Sequence, residues 1–226
     1  MDNDKKNDIA YTLAKAGLGS IPLVGAVASE LLQLLVTPPI ERRRTKWMTE
    51  IGEKIQELET RNLLNLDELR TNEIFIDVVL QTTQQALKTS ENEKIEYYKN
   101  AIVNTAVGDN PELAEIQIFL NLISDFTVWH IKILNFFDNP VNWFSVNGEP
   151  VPSFYSGGLS DILEIAFPEL KDRRYFYDLL WADLSRAGLN NTNGLHTIMT
   201  GDGLLVSRTT DFGKVFLKFI TENSTE

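Results

Sequence analysis

AGLGSIPLVGAVASELLQLLV, residues 16–36, holds one charge, Glu30, and no other part of the chain is as apolar. Its folding decides the architecture of the N-terminal half. A short helix is expected over Ile9–Leu18, with Ile9, Leu13 and Ala16 on one face, and Gly17, Gly19 and Ser20 break it. Pro22 suits the first turn of a new helix, where its missing amide hydrogen has no partner to lose. The pair Pro38 and Pro39 is expected to stop that helix after Val36. About 15 residues rise roughly 21 Å, short of the ~30 Å of bilayer hydrocarbon. Ala26, Glu30, Gln33 and Thr37 fall on one stripe, and Val24, Val27, Leu31, Leu34 and Leu35 cover another. That is the pattern of an amphipathic helix facing a core. The stretch reads as a buried helical hairpin, with reversible membrane contact as the alternative.

Past the prolines, Ile40-Glu41-Arg42-Arg43-Arg44-Thr45-Lys46 opens a helix expected to reach Glu59, with Trp47, Ile51, Ile55 and Leu58 on one face. Cations at a helix N-terminus oppose the macrodipole, at about 0.3 kcal/mol or more per exposed charge. Arg42, Arg43, Arg44 and Lys46 are therefore either neutralised by neighbouring acids or candidate contacts for an anionic partner, phosphate or lipid headgroup. Trp47 beside them suits a membrane interface as well as a core.

Downstream the helical period continues. A turn is expected at Leu63–Leu69 and a helix over Asn72–Lys88. Another helix should follow a capping box of Ser90 and Glu93, with Ile95, Tyr98, Ile102 and Ala106 along it and Gly108 at its end. Asp109-Asn110-Pro111 restarts the pattern, and Leu113, Ile116, Leu120 and Ile123 share a face. Residues 1–124 thus form an expected helical bundle.

Residues 125–222 differ in character. A helix over Thr127–Phe137 is closed by Pro140, and an irregular stretch to Gly158 follows, ordered by packing of Trp143, Phe144, Phe154 and Tyr155 or serving as a functional surface. Helices are expected at Leu159–Phe167 and Lys171–Ala187, the second with Tyr175, Leu179 and Ala182 recurring. Gly201-Asp202-Gly203 between Leu195–Met199 and Leu204–Arg208 signals a β-hairpin. Phe212, Val215, Phe216 and Phe219 line a last helix, and 223–226 are a polar tail.

At 226 residues, 43% hydrophobic and 23% charged, the composition is that of an ordinary globular protein, with two domains the preferred division. No cysteine is present, which removes disulfide frameworks, thiolate zinc sites and thiol nucleophiles. The net charge of −11 opposes nonspecific attraction to nucleic acid or anionic lipid except at local basic clusters. It is spread unevenly: residues 1–60 carry −1, and 61–124 and 125–226 carry −5 each. The acidic start MDNDKKND lacks the basic end of a signal peptide, so a cytoplasmic protein is expected.

Catalytic patterns are missing from the sequence. Gly17-Leu18-Gly19-Ser20 is followed by no Gly-Lys-Ser/Thr, His130 and His196 lack metal-ligand spacing, and Ser156-Gly157-Gly158 lacks the flanks of a nucleophile elbow. The acidic neighbours Asp161 with Glu164 and Glu112 with Glu115 read as solvated pairs. No catalytic residue, metal ligand or cofactor is assigned, and a non-enzymatic protein is expected.

Helix, helix, a longer helix ending in Arg186-Ala187-Gly188-Leu189, a two-stranded hairpin and then Thr209-Thr210-Asp211-Phe212-Gly213-Lys214-Val215-Phe216-Leu217 resembles a winged-helix domain over 125–222. With the glycine-rich hairpin, double proline and basic helix start, the whole chain also resembles the bacterial Abi-alpha-like proteins of abortive infection, or phage defence. The fold class is therefore expected to be mainly α, a helical bundle followed by a winged-helix-like α+β domain with one small β-hairpin. The resemblance implies an interaction or effector role with a protein partner. A DNA-binding regulator is the alternative, for which Lys171, Arg173, Arg174, Arg186 and Arg208 are candidate contacts. Asp172, Asp178 and Asp183 on the same helix oppose phosphate binding. A peripheral membrane-interacting protein is the third reading.

Overall fold

The computed structural model describes residues 24–108 and 110–222, with side chains from 39 onward. The helix expected over Ile9–Leu18, its glycine break, the start at Pro22 and the polar tail lie outside the described residues. The described chain is mainly helical, with one two-stranded antiparallel sheet. It divides into two compact units, 1–52 and 53–226.

Helix α1 spans Val24–Thr60. The expected stop after Val36 does not occur, and the helix continues through Pro38 and Pro39. Proline's fixed φ is helical, so each ring costs an amide donor and crowds the preceding turn, about 3 kcal/mol. Because the two are adjacent, the damage falls on one turn. In the first unit, residues 39–46 are exposed, and Trp47 and Ile51 are buried. Within the second unit the helix's end buries Leu58 and half-buries Ile55.

The second unit continues with α2 (Leu66–Leu69), α3 (Glu73–Lys88), α4 (Asn92–Val107), α5 (Leu113–Asp125) and α6 (Val128–Asp138). Asn72 caps α3 by accepting the Phe75 amide at 3.1 Å. The Ser90–Glu93 capping box does not form. Thr89 Oγ1 accepts the Glu91 amide at 3.1 Å, and Glu91 becomes the N-cap, so Ser90 sits too early to cap. On α5, Ile116, Phe119, Leu120 and Ile123 are buried, whereas Leu113 is 47% exposed.

Pro140 ends α6 and immediately begins α7 (Pro140–Val146), because Asn139 Oδ1 accepts the Asn142 amide at 3.0 Å. The stretch expected to be irregular is thus partly helical. Phe144 is buried and, with Trp143, meets Phe136 edge-on; Trp143 also meets Phe167 at 5.0 Å. Tyr155 does not join this packing and is 99% exposed.

Strand β1 (Ser156–Gly157) precedes α8 (Leu159–Ala166), a 3-10 turn at Pro168–Leu170 and α9 (Arg174–Arg186). Strand β2 (Met199–Thr200), α10 (Gly201–Leu204) and α11 (Asp211–Ile220) complete the described chain. The expected hairpin is replaced by a long-range pair: β2 lies antiparallel to β1, Ser156 opposite Thr200 and Gly157 opposite Met199. The cause is local. Thr200 Oγ1 accepts the Gly203 amide at 3.3 Å and turns Gly201-Asp202-Gly203 into a helical turn. Gly201 also presses on the Phe154 carbonyl, where a Cβ would collide. The downstream arm does not return along β2, and Thr209 bridges Asn190 instead.

Helix α11 packs on α4 and α6. Its Phe216 and Phe219 are buried, and together with half-buried Phe212 they surround Phe119 of α5 at 5.4, 5.6 and 5.0 Å. The last carbonyls of a helix have no internal donor. In α11 the Thr221 amide serves Leu217, and two asparagines one turn apart on α4 serve the rest. Asn104 Nδ2 lies 3.0, 2.9 and 3.0 Å from the Lys218, Phe219 and Thr221 oxygens, and Asn100 Nδ2 lies 3.0 Å from that of Ile220. The expected domain boundary at 124/125 falls inside this unit.

Candidate interaction surface

Helix α9 presents two apolar stripes at helical spacing. Tyr177, Leu180, Trp181 and Leu184 are buried. Tyr175, Leu179 and Ala182, expected to be its recurring apolar face, point outward instead, Tyr175 at 76% exposure and Leu179 at 55%. The larger stripe wins the core. Trp181 anchors it, donating from Nε1 to the Thr192 carbonyl at 2.9 Å while its ring meets Phe137 at 4.9 Å.

The candidate nucleic-acid cations around α9 are held in different ways. Arg174 Nε bonds Asp178 at 3.3 Å, and Arg186 pairs with Asp183. Arg173 stacks over Phe176 at 4.3 Å. Arg208 turns inward, donating to the Gly203 carbonyl and approaching Met199 Sδ at 3.1 Å. Lys171 is exposed, on the bend before α9. Carboxylates on α9 thus engage two of the five cations and the fold absorbs a third.

The N-terminal cations lie elsewhere. Arg42, Arg43, Arg44 and Lys46 are exposed in the interior of α1, so the expected conflict with a helix N-terminus does not arise. Lys46 reaches Glu50 at 3.7 Å. Trp47 is 4% exposed and belongs to the core rather than to an interface.

Both histidines serve the fold. His130 Nδ1 accepts the Thr127 amide at 3.0 Å, which leaves the proton on Nε2, facing Asp183 Oδ2 at 3.3 Å; the ring stacks on Phe126. Burial lowers its pKa below the ordinary 6.5, and Asp183 opposes that shift. The folded state therefore resists a proton that the unfolded chain accepts near pH 6.5, and the stability due to neutral His130 is lost as pH falls below that value. Urea midpoints of the wild type are expected to drop from about pH 7 to about pH 5 by more than those of His130→Gln; equal drops would contradict this. His196 Nε2 lies 2.7 Å from Asp178 Oδ1.

The acidic pairs are structural. Asp161 Oδ2 accepts the Gly158 amide at 2.8 Å, and Glu164 accepts the Tyr177 hydroxyl at 2.8 Å; burial first, and this bond second, raise the phenol's pKa. Glu115 accepts the Glu112 amide at 3.1 Å. A cavity of about 290 Å³ lies among Asn104, Asn110, Glu115, Val215, Lys218 and Phe219. Its polar groups already cap and staple: Asn104 serves the end of α11, Asn110 donates to the Thr105 carbonyl at 3.1 Å, and Glu115 holds the start of α5.

Fold and surface define a mainly helical protein whose long-range strand pair frames a helix with an outward apolar stripe. Comparison with protein-family models, curated proteins and solved structures finds no match.

Proposed function

We propose that this chain is a non-enzymatic interaction or effector protein of the cytoplasm, of the abortive-infection kind, and that it engages a protein partner through α9. One observation carries the reading: Tyr175 and Leu179 stand in solvent, while Arg174 and Arg186 are neutralised by Asp178 and Asp183 at the surface and Arg208 turns into the fold. Apolar side chains exposed at one-turn spacing suit a protein surface, whereas a DNA-reading helix needs donors aimed at phosphates and base edges. The winged-helix-like part of the proposal is supported by the order α6, α7, β1, α8, α9, β2, with α8 and α9 between the two paired strands.

Leu179→Glu tests the reading, since the side chain is outside the core and the variant is expected to fold normally. A partner captured from host extract by the wild type is expected to be lost by Leu179→Glu and retained by Lys171→Glu. Retention of the same partner by Leu179→Glu would contradict the assignment of α9.

A further inference from the structure

The exposed line of α9 is self-complementary about Leu179. Tyr175, Leu179, Ala182 and Arg186 are all exposed and follow one another at helical spacing, so they share a face opposite the buried Tyr177, Leu180, Trp181 and Leu184. Leu179 stands at the middle. One turn before it is the large Tyr175 and one turn after it the small Ala182; Arg186 lies a further turn on, and Asp172 is exposed on the turn that precedes the helix. A second α9 laid antiparallel about Leu179 brings Tyr175 over Ala182 of the other copy, sets Leu179 against Leu179, and draws Asp172 toward Arg186. A twofold interface demands this property, because every contact from one residue to another is repeated in reverse.

Charge selects the same occupant. At a net charge of −11, two copies of the chain repel as wholes. Helix α9 is balanced: Arg174 pairs with Asp178 and Arg186 with Asp183, and its 13 residues carry no other charge. Two copies can therefore approach along this face without like-charge repulsion. Antiparallel pairing also sets the positive N-terminal end of one helix beside the negative C-terminal end of the other.

On the reading of α9 as a protein-binding surface, we propose that its occupant is a second copy of this chain, whose own α9 lies antiparallel across a twofold axis at Leu179. A single pair of helices about 20 Å long covers less than the ~1,200 Å² at the low end of stable interfaces. The dimer is therefore reversible, with a Kd of about 1 μM or weaker.

Sedimentation of the full chain across the micromolar range is expected to show a monomer–dimer equilibrium. Leu179→Glu sets two carboxylates against each other at the axis and is expected to weaken it by at least about tenfold. The chain has no cysteine, so single introduced thiols report the geometry. Leu179→Cys is expected to give disulfide-linked dimers on mild oxidation. Tyr175→Cys alone is not, because the two copies of residue 175 lie about 12 Å apart along the axis, beyond disulfide reach. Mixed with Ala182→Cys, it is expected to crosslink. All three positions are exposed, so circular dichroism should match the wild type. A monomer at every concentration that still captures a Leu179-dependent partner from extract overturns the second copy and leaves α9 a surface for a different protein. A monomer without such a partner overturns the protein-binding reading as well. A dimer indifferent to Leu179→Glu, or one in which Tyr175→Cys crosslinks to itself and not to Ala182→Cys, overturns the antiparallel pairing.

Discussion

Phe119→Ala is expected to lower the unfolding free energy by about 3–5 kcal/mol, the range for truncating a fully buried phenylalanine. The side chain is 0% exposed and touches the rings of Phe212, Phe216 and Phe219, so its loss opens a cavity where α5 meets α11. Little can collapse into that space, because Phe216 and Phe219 are themselves fixed by a helix whose end is tied to α4. Phe119→Leu should cost less than half as much, since it keeps most of the volume. Urea unfolding checks both variants: a lower midpoint with an unchanged slope is expected, and a loss under about 1 kcal/mol for the alanine variant would mean that α11 is not held there.

Asn104→Asp is expected to be as damaging, at about 3–5 kcal/mol, although the two side chains have nearly the same shape. The amide donates toward carbonyls at the negative end of α11. A carboxylate would set acceptor against acceptor in a position only 5% exposed. Asn104→Ala removes the donor without adding charge and should cost about 1–3 kcal/mol. The ordering is the diagnostic result in urea unfolding. If Asp and Ala cost the same, Asn104 acts by filling space and the capping account is wrong.

Most helices from Trp47 onward were legible because apolar residues recur at helical spacing and are bounded by Asn72, Gly108, Pro140 and Gly188. Three features were not legible, each for a physical reason. The prolines at 38 and 39 are local breakers whose cost the helix absorbs within one turn. The hairpin signal at Gly201-Asp202-Gly203 is equally a signal for an N-capped helical turn, and the actual partner strand is 42 to 44 residues upstream, where no local pattern points. Helix α9 has two apolar stripes of the same period, and the sequence alone does not say which one meets the core. The asparagines at 100 and 104 did carry a trace: polar amides one turn apart on a helix otherwise rich in buried residues suggest caps for a neighbour. Of the candidate cations, those on α1 are exposed, while Arg208 could be placed inside only once its neighbours were known.

On the proposed reading, α9 offers apolar side chains to a protein while its arginines are paired at the surface with Asp178 and Asp183. A mobility-shift titration of duplex DNA at low salt tests it most directly, because low salt gives phosphate contacts their greatest strength. No shift attributable to α9 is the predicted result. A salt-sensitive shift abolished by Arg173→Ala/Arg174→Ala would contradict it and make this helix a DNA reader.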